Sequence, residues 1–538
     1  MMDEKPTIEA PCFFDAHCVL GRHPHWRPPQ PATVPELLDV MDRYGIGQAL
    51  VTDCDSRALH PGAGNRQLAE DVRDEPRLVP AWVLLPSATG ETPPPARLLD
   101  EMSSAGVKAA FLAPGTYGHG LEDWEIDDVL SVLAEARVPV FLDGEQGFPG
   151  WTYAYTLDSL DVDAAVRLAG RHPTLPVVMT AFRFRHTNRR IARAMQQVGN
   201  LHMELSGWWF YKNVESLAEL VGPERLIFGT RLPVHDPAAT KAVVQYADVS
   251  PEAVRLIAGE NLRRLLSWDG EVPAVQPRPW QGRHESKLYS TAMAGADLRG
   301  EGFMDCHAHL GRSNIYHVPQ WSPDELVSEM DRLGVEATCI FSLAGMGADD
   351  RRADDVVIEA QRRHPDRLIG FAFPGIYRPP DDFRAEIERC LEAGLRGIKT
   401  YTHDAALLGI ACGIAERERL LILNHNWGTP EALLDLAKGH PNAVLIVGHT
   451  DRGYVKVFRE VGNVYMCTCP LIAFGAPEWC VEAYGADRIM FGSDMSDLPL
   501  PWGMGPILYA DVSDADKRAI LGGNLRRLLE THSRPRGA

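Results

Sequence analysis

Short apolar runs alternate with amphipathic stretches along the whole chain. Ala49-Leu50-Val51, Pro139-Val140-Phe141-Leu142, Leu420-Leu421-Ile422-Leu423 and Ala443-Val444-Leu445-Ile446-Val447 have the length and β-rich composition of buried strands. Between such runs, Glu325 to Leu333 and Glu431 to Ala437 carry apolar residues at helical spacing. Strands alternating with helices are joined by right-handed crossovers and form a parallel sheet. About 250 residues of that alternation suit an eight-stranded barrel. A pair of open doubly wound sheets competes, but no glycine-rich nucleotide fingerprint follows any first strand.

The pattern occurs twice. Phe14-Asp15-Ala16-His17-Cys18-Val19-Leu20-Gly21-Arg22 returns as Met304-Asp305-Cys306-His307-Ala308-His309-Leu310-Gly311-Arg312. Met41-Asp42-Arg43 answers Met330-Asp331-Arg332, and Gly106-Val107-Lys108 answers Gly397-Ile398-Lys399. Val198-Gly199-Asn200 pairs with Val461-Gly462-Asn463, and both copies close on Asn-Leu-Arg-Arg-Leu-Leu, at Asn261 and at Asn524. Roughly residues 267–302 lack either period and hold Pro273, Pro277, Pro279 and Gly282, which reads as a linker. The expected architecture is α/β: two tandem TIM-like (β/α)8 barrels, at 1–266 and 303–538.

Composition narrows function more than fold. With 45% hydrophobic and 24% charged residues, the 538-residue chain has a globular balance. Its 73 Asp+Glu outnumber 54 Lys+Arg, for a net charge of −19. That field repels phosphate backbones and anionic headgroups, so neither nucleic acid nor membrane is an expected partner. Ten cysteines, with no CxxC pair and with Cys467 and Cys469 one residue apart on an expected strand, fit a reducing, cytoplasmic setting better than a disulfide framework. The N-terminal residues lack a basic segment followed by an apolar one, and no apolar run reaches about 18 residues, so no targeting or spanning segment is expected.

Barrel chemistry gathers at the C-terminal ends of strands. In the second copy the polar residues there are His307 and His309 after the first strand, Lys399, His425, His449 and, after Ile489-Met490-Phe491-Gly492-Ser493, Asp494. The two-residue spacing of His307 and His309 turns both imidazoles to one side of an extended chain. Imidazoles and a carboxylate in this number suit Zn²⁺ or another divalent ion such as Mn²⁺ or Fe²⁺.

Taken together, Asp-x-His-x-His, Gly-Ile-Lys, the two later histidines and Phe-Gly-Ser-Asp resemble the amidohydrolase superfamily, in the branch that includes aminocarboxymuconate semialdehyde decarboxylase and various lactonases. The resemblance implies one metal ion per chain on His307, His309, His425 and Asp494. It implies that His449 acts as acid/base or transition-state stabiliser, with Asp494 taking a proton from water. Lys399 could be a carbamylated bridge between two metals, a cation for substrate or a partner of Asp494, and we favour the last two. Asp305 is expected to orient a ligand histidine by a hydrogen bond. Hydrolysis of a small amide, lactone or ester is preferred over decarboxylation on the same ligands, because the Gly-Ile-Lys segment looks more like hydrolysing members; a non-catalytic scaffold is the third reading. Trp427, Tyr401, Arg312 and Arg452 flank the ligands and are candidates to shape a pocket for a carboxylate-bearing or aromatic small molecule.

Laid beside this, the first copy keeps His17 but has Val19 for His309, Gly144 for His425, Ala181 for His449 and Arg231 for Asp494. Lys108 answers Lys399, and Asp143 and Glu145 flank the lost histidine. One imidazole does not hold zinc. The first barrel is therefore expected to lack the metal site and to serve as a built-in partner, the two barrels forming an intramolecular pseudo-dimer. Arg183, Arg185, Arg189, Arg190 and Arg193 cluster after the emptied sixth-strand position, where one could reach a substrate carboxylate in the other barrel.

Overall fold

The computed structural model describes residues 11–23, 26–27, 29–143, 161–180, 188–270, 285–312, 317–343, 349–449 and 452–532. Eight parallel strands in sequential order make the first barrel: β1 (Phe13–Leu20), β2 (Ile46–Asp53), β3 (Leu78–Val83), β4 (Ala109–Leu112), β5 (Val140–Asp143), β6 (Val177–Thr180), β7 (Leu201–Glu204) and β8 (Leu226–Ile227). The second repeats it with β9 (Phe303–Leu310), β10 (Val335–Ser342), β11 (Leu368–Ala372), β12 (Gly397–Thr400), β13 (Leu421–Asn424), β14 (Val444–Val447), β15 (Val464–Cys467) and β16 (Ile489–Met490). Backbone bonds bring the last strand's end onto the first: Ala16 N–H donates to Phe228 O (3.0 Å), and Cys306 N–H to Phe491 O (2.8 Å). The expected pair of TIM-like barrels is what the chain forms.

Strand alternation divides two apolar layers. On β13, Leu421 and Leu423 pack inside the barrel with Cys306, Phe341 and Cys467, while Ile422 packs under the helices. β4 behaves likewise, with Ala109 and Phe111 inside and Ala110 outside. The helix following the first strand starts on a capping box in both copies, Thr33 with Glu36 and Ser322 with Glu325.

Corresponding elements of the two barrels meet. The helix Pro237–Gln245 packs on the helix Leu500–Tyr509, where a Cβ on Gly505 would sit 2.3 Å from Ala238 O. Arg43 donates to Tyr509 O (3.2 Å), and its counterpart Arg332 donates to Tyr246 O (2.6 Å). Lys212 Nζ reaches Glu329 at 2.8 Å with both side chains buried.

Within the span read as an irregular linker, Lys287–Met293 is a helix, capped by Ser286, with Leu288 and Ala292 fully buried. Seven residues carry too short a period to stand out in the sequence. Pro273, Pro277, Pro279 and Gly282 lie outside the described residues. Among the described residues no helix is long and apolar enough to cross a membrane.

Candidate metal centre

The strand ends of the second barrel bring three of the expected residues into direct contact. His307 Nε2 lies 3.2 Å and His309 Nε2 2.9 Å from the same oxygen, Asp494 Oδ1. Asp494 takes φ 61°, a left-handed conformation that costs a non-glycine residue about 1–2 kcal/mol, and its counterpart Arg231 takes φ 63°. Both copies thus keep a backbone that turns the strand-eight side chain into the barrel mouth. Asp494 is buried, but the neighbouring imidazoles hold its carboxyl well below the usual range.

Asp305 does something other than expected. Rather than meeting an imidazole, its Oδ1 accepts from the backbone N–H of His307 (2.9 Å) and of Ser493 (3.1 Å), and the Ser493 hydroxyl bonds its other oxygen. It ties strand one to strand eight just beneath the ligands. Asp15 does the same in the first copy, for His17 N–H and Thr230 N–H, both at 2.9 Å. Burial is the main cause that lifts Asp305 to about 7 and Asp15 to about 6.

The His425 and His449 rings stand 3.9 Å apart, with His449 6.3 Å from His307, and Tyr401 stacks on His425 at 4.1 Å. Burial, helped by the neighbouring His449 and by the Lys399 charge, pushes His425 down to about 2, so its imidazole is neutral as a metal ligand requires. Lys399 is 1% exposed and sits 4.8 Å above the Phe341 ring. Burial lowers it to about 8 while Asp494 opposes. It forms no direct ion pair with Asp494 among the described contacts. Among the described residues, His309 Nδ1 is buried without a hydrogen-bond partner. The donor set, with neutral or carboxylate-paired imidazoles around a buried carboxylate, fits a divalent first-row ion.

Other candidates spread out. Trp427 is 1% exposed and donates its indole N–H to Ile446 O (2.9 Å), so it packs beneath the strand ends rather than lining a pocket. Arg312 covers Trp321 and Arg452 covers Trp479. Strand seven supplies a residue the sequence reading passed over: Cys469, whose thiol groups with His307 and Asp494. The preceding thiol, Cys467, faces His307 Nδ1 at 3.7 Å.

In the first barrel, strand register corrects two pairings. Phe111 pairs with Phe141 as Lys399 pairs with Leu423, so Phe111 stands where Lys399 does, and Lys108 precedes the strand. Two residues past those partners come Asp143 and His425, so Asp143, not Gly144, replaces the histidine. Here guanidinium groups fill the centre. Arg57 lies 2.9 Å from His17 Nε2 and pairs with Asp143; Arg231 donates to Ser206 Oγ (2.9 Å) and Thr180 Oγ1 (3.1 Å). Glu204 accepts from Thr180 (2.8 Å) and Ser206 (2.6 Å) and lies 3.4 Å from His17 Nδ1. Among the described residues, the two groups of three potential metal donors both belong to the second barrel.

Gly144, Glu145, Ala181, Arg183 and Arg185 lie outside the described residues. Of the other arginines, Arg190 pairs with Asp163 and Arg193 with Gln197. The charge of Arg189 is felt at His317 of the second barrel, after burial the largest influence on that imidazole. Asn188 beside it exchanges two 3.2 Å hydrogen bonds with the His317 backbone.

Comparison with curated proteins gives no match. Among solved structures, the 2,6-dihydroxybenzoate decarboxylase from Rhizobium is similar at 15% identity and TM-score 0.38, covering 48% of this chain and 100% of its own. A dihydroxybenzoic acid decarboxylase from Polaromonas sp., with bound manganese and 2-nitroresorcinol, is 18% identical over 43% of this chain and 97% of its own, TM-score 0.34. A probable 2-pyrone-4,6-dicarboxylic acid hydrolase from Acinetobacter baumannii, with citric acid bound, is 14% identical over 43% and 99%, TM-score 0.34. The amidohydrolase family model matches residues 15–268 and 412–531, taking in His425, His449 and Asp494. That match spans well over half of the sequence, and the chain belongs to the amidohydrolase family.

Proposed function

We propose that the second barrel is a metal-dependent hydrolase of a small amide, lactone or ester, with one ion on His307, His309, His425 and Asp494. The observation that carries the reading is the convergence of His307 Nε2 and His309 Nε2 on Asp494 Oδ1, at 3.2 and 2.9 Å. A divalent ion bound there lowers the pKa of water from 15.7 towards about 7 and polarises a carbonyl. The chain's own groups then divide the work. Asp494, kept ionised by its imidazole neighbours, accepts the proton of the attacking water and returns it to the leaving group. His449, beside His425, hydrogen-bonds the developing oxyanion. Lys399, buried above Phe341, offers a cation to an anionic substrate. Zn²⁺ is the ion we favour, with Mn²⁺ and Fe²⁺ as alternatives.

The division into 1–266, 267–302 and 303–538 belongs to the same proposal, with the first barrel as a metal-free partner in an intramolecular pseudo-dimer. Arg231 in the place of Asp494, and the matched contacts of Arg43 and Arg332, support it. Arg189 is the arginine we assign to a substrate carboxylate, because its neighbour Asn188 hydrogen-bonds the His317 backbone and carries that segment onto the second barrel.

The test is a panel of lactones, amides, esters and aromatic carboxylates given to metal-loaded protein, with acid release and carbon dioxide both monitored. Acid release without carbon dioxide, abolished by Asp494→Asn, is expected. Carbon dioxide alone replaces hydrolysis with decarboxylation on the same ligands, and silence across the panel with full metal content favours a scaffold.

A further inference from the structure

Cys469 has no part in the reading above, yet it stands at the end of strand seven facing the same point as the ligands. We propose that the Cys469 thiolate is a direct ligand of the ion in the second barrel, which makes the centre sulfur-containing and biases it toward zinc-class ions over manganese. The inference rests on the metal-centre reading and adds a donor to it.

Geometry is the first support. The Cys469 sulfur, a His307 nitrogen and an Asp494 oxygen all lie within 4.8 Å of one another, and all three residues are buried. Neighbouring donors on one five- or six-coordinate ion, with a metal–sulfur distance of about 2.3 Å and metal–nitrogen of about 2.0 Å, are about 3–3.6 Å apart. The separations of up to 4.8 Å therefore leave at most about 2 Å to close around one ion.

The first barrel supplies an independent support. Glu204 pairs with Ile227 as Cys467 pairs with Met490, so Ser206 is the counterpart of Cys469. The Ser206 hydroxyl accepts from Arg231 Nε at 2.9 Å. The strand-seven position thus already grips a cation in the copy where that cation is a guanidinium. In the second copy the residue there is a softer donor, and the strand-eight residue is a carboxylate.

The two cysteines of strand seven have different places. Cys467 lies against His307 Nδ1, at 3.7 Å, whereas the opposite nitrogen, Nε2, points to Asp494. Cys467 therefore sits behind the ring, where it orients His307. Cys469 is in front, on the side of Asp494. Binding replaces the thiol proton by the ion and releases that proton to solvent. Thiolate donors favour zinc and cobalt over manganese, whose preference is for oxygen.

Cobalt(II) loaded into the metal-stripped full chain reports sulfur ligation directly, as a thiolate-to-cobalt charge-transfer band in the near ultraviolet. The expected result is a band in the native chain, its loss in Cys469→Ser with cobalt content unchanged, and its retention in Cys467→Ser. A cobalt-loaded native chain without the band, or a band that persists in Cys469→Ser, overturns the proposal. Should Cys469→Ser not fold, X-ray absorption of the zinc-loaded native chain and of Cys467→Ser decides. A sulfur shell at about 2.3 Å in both supports Cys469, and a shell of nitrogen and oxygen alone, or one lost with Cys467, overturns it. Failure of the native chain to take up any ion sinks the metal-centre reading itself, a different outcome from uptake without sulfur.

Discussion

Replacing Arg231 with methionine removes the buried cation from the centre of the first barrel while keeping the volume close. Arg231 is 4% exposed and hydrogen-bonds Ser206 and Thr180; against burial, the hydrogen bond with neutral His17 and then the charge of Arg231 hold the wholly buried Glu204 down at about 2. Removing one partner of a contacting buried charge pair costs about 3–5 kcal/mol, and Arg231 is linked to Glu204 through the hydroxyls of Ser206 and Thr180. Thr180 and Ser206 still donate to Glu204 in the variant, so the low end, about 3 kcal/mol, applies. For a unit of about 250 residues that is a fall in melting temperature of about 6–12 °C. His17 adds a signature. Burial first and Arg231 second push it down to about 3. Without Arg231 it can take up a proton and pair with Glu204, so the loss is smaller at pH 6 than at pH 8. Scanning calorimetry at both pH values, with metal content followed in parallel, measures this. A loss under about 1 kcal/mol at pH 8, an equal loss at both pH values, or a change in bound metal refutes the account of the first barrel's centre.

Acid also acts on the native chain. Burial, aided at each site by nearby arginine charge, pushes His17, His202 and His235 down to about 3 from 6.5, so the unfolded chain binds protons that the folded one refuses. The stability these three histidines contribute is full above about pH 6.5 and is lost as pH drops toward 3, on the order of 1 kcal/mol per group per pH unit. The raised carboxyls of Asp15 and Asp305 act in the opposite sense, so the loss is read as the difference between the native chain and His202→Gln; urea midpoints that change equally in the two from pH 7 to 5 contradict this. At the contact between barrels, Gly505→Leu drives a side chain into Ala238 and Ala242 and costs about 1–3 kcal/mol with faster proteolysis, whereas Gly409→Ala, with nothing within 4 Å, is neutral or stabilising by up to about 1 kcal/mol. Equal midpoints for the two variants dispose of the packing argument.

Barrel architecture was legible because strand period, helix period and repeat agree: the run read at Leu420 to Leu423 becomes Leu421–Asn424, and both capping boxes fall at equivalent helix starts. Fine correspondence between the copies was less so. Gly-Val-Lys and Gly-Ile-Lys match by eye, but strand phase depends on which residues point inward, and those are Ala109 and Phe111, which Lys108 precedes. A one-residue slip at Asp143 has the same origin, since only ladder pairing distinguishes the last strand residue from the first loop residue. His307, His309 and Asp494 were readable as polar residues just past apolar strands. Cys469 was not, because a cysteine in an apolar run reads as core, and only the barrel's closure turns it toward Asp494. Trp427 misled in the opposite sense: the indole beside a candidate ligand is folded back onto Ile446.

Metal content of the purified full chain tests the central asymmetry most directly. After expression in metal-supplemented medium, elemental analysis is expected to give about one divalent ion per chain, lost in the double variant His307→Ala, His309→Ala and unchanged in His17→Ala. Two ions per chain, none at all, or loss of the ion on changing His17 contradicts the account.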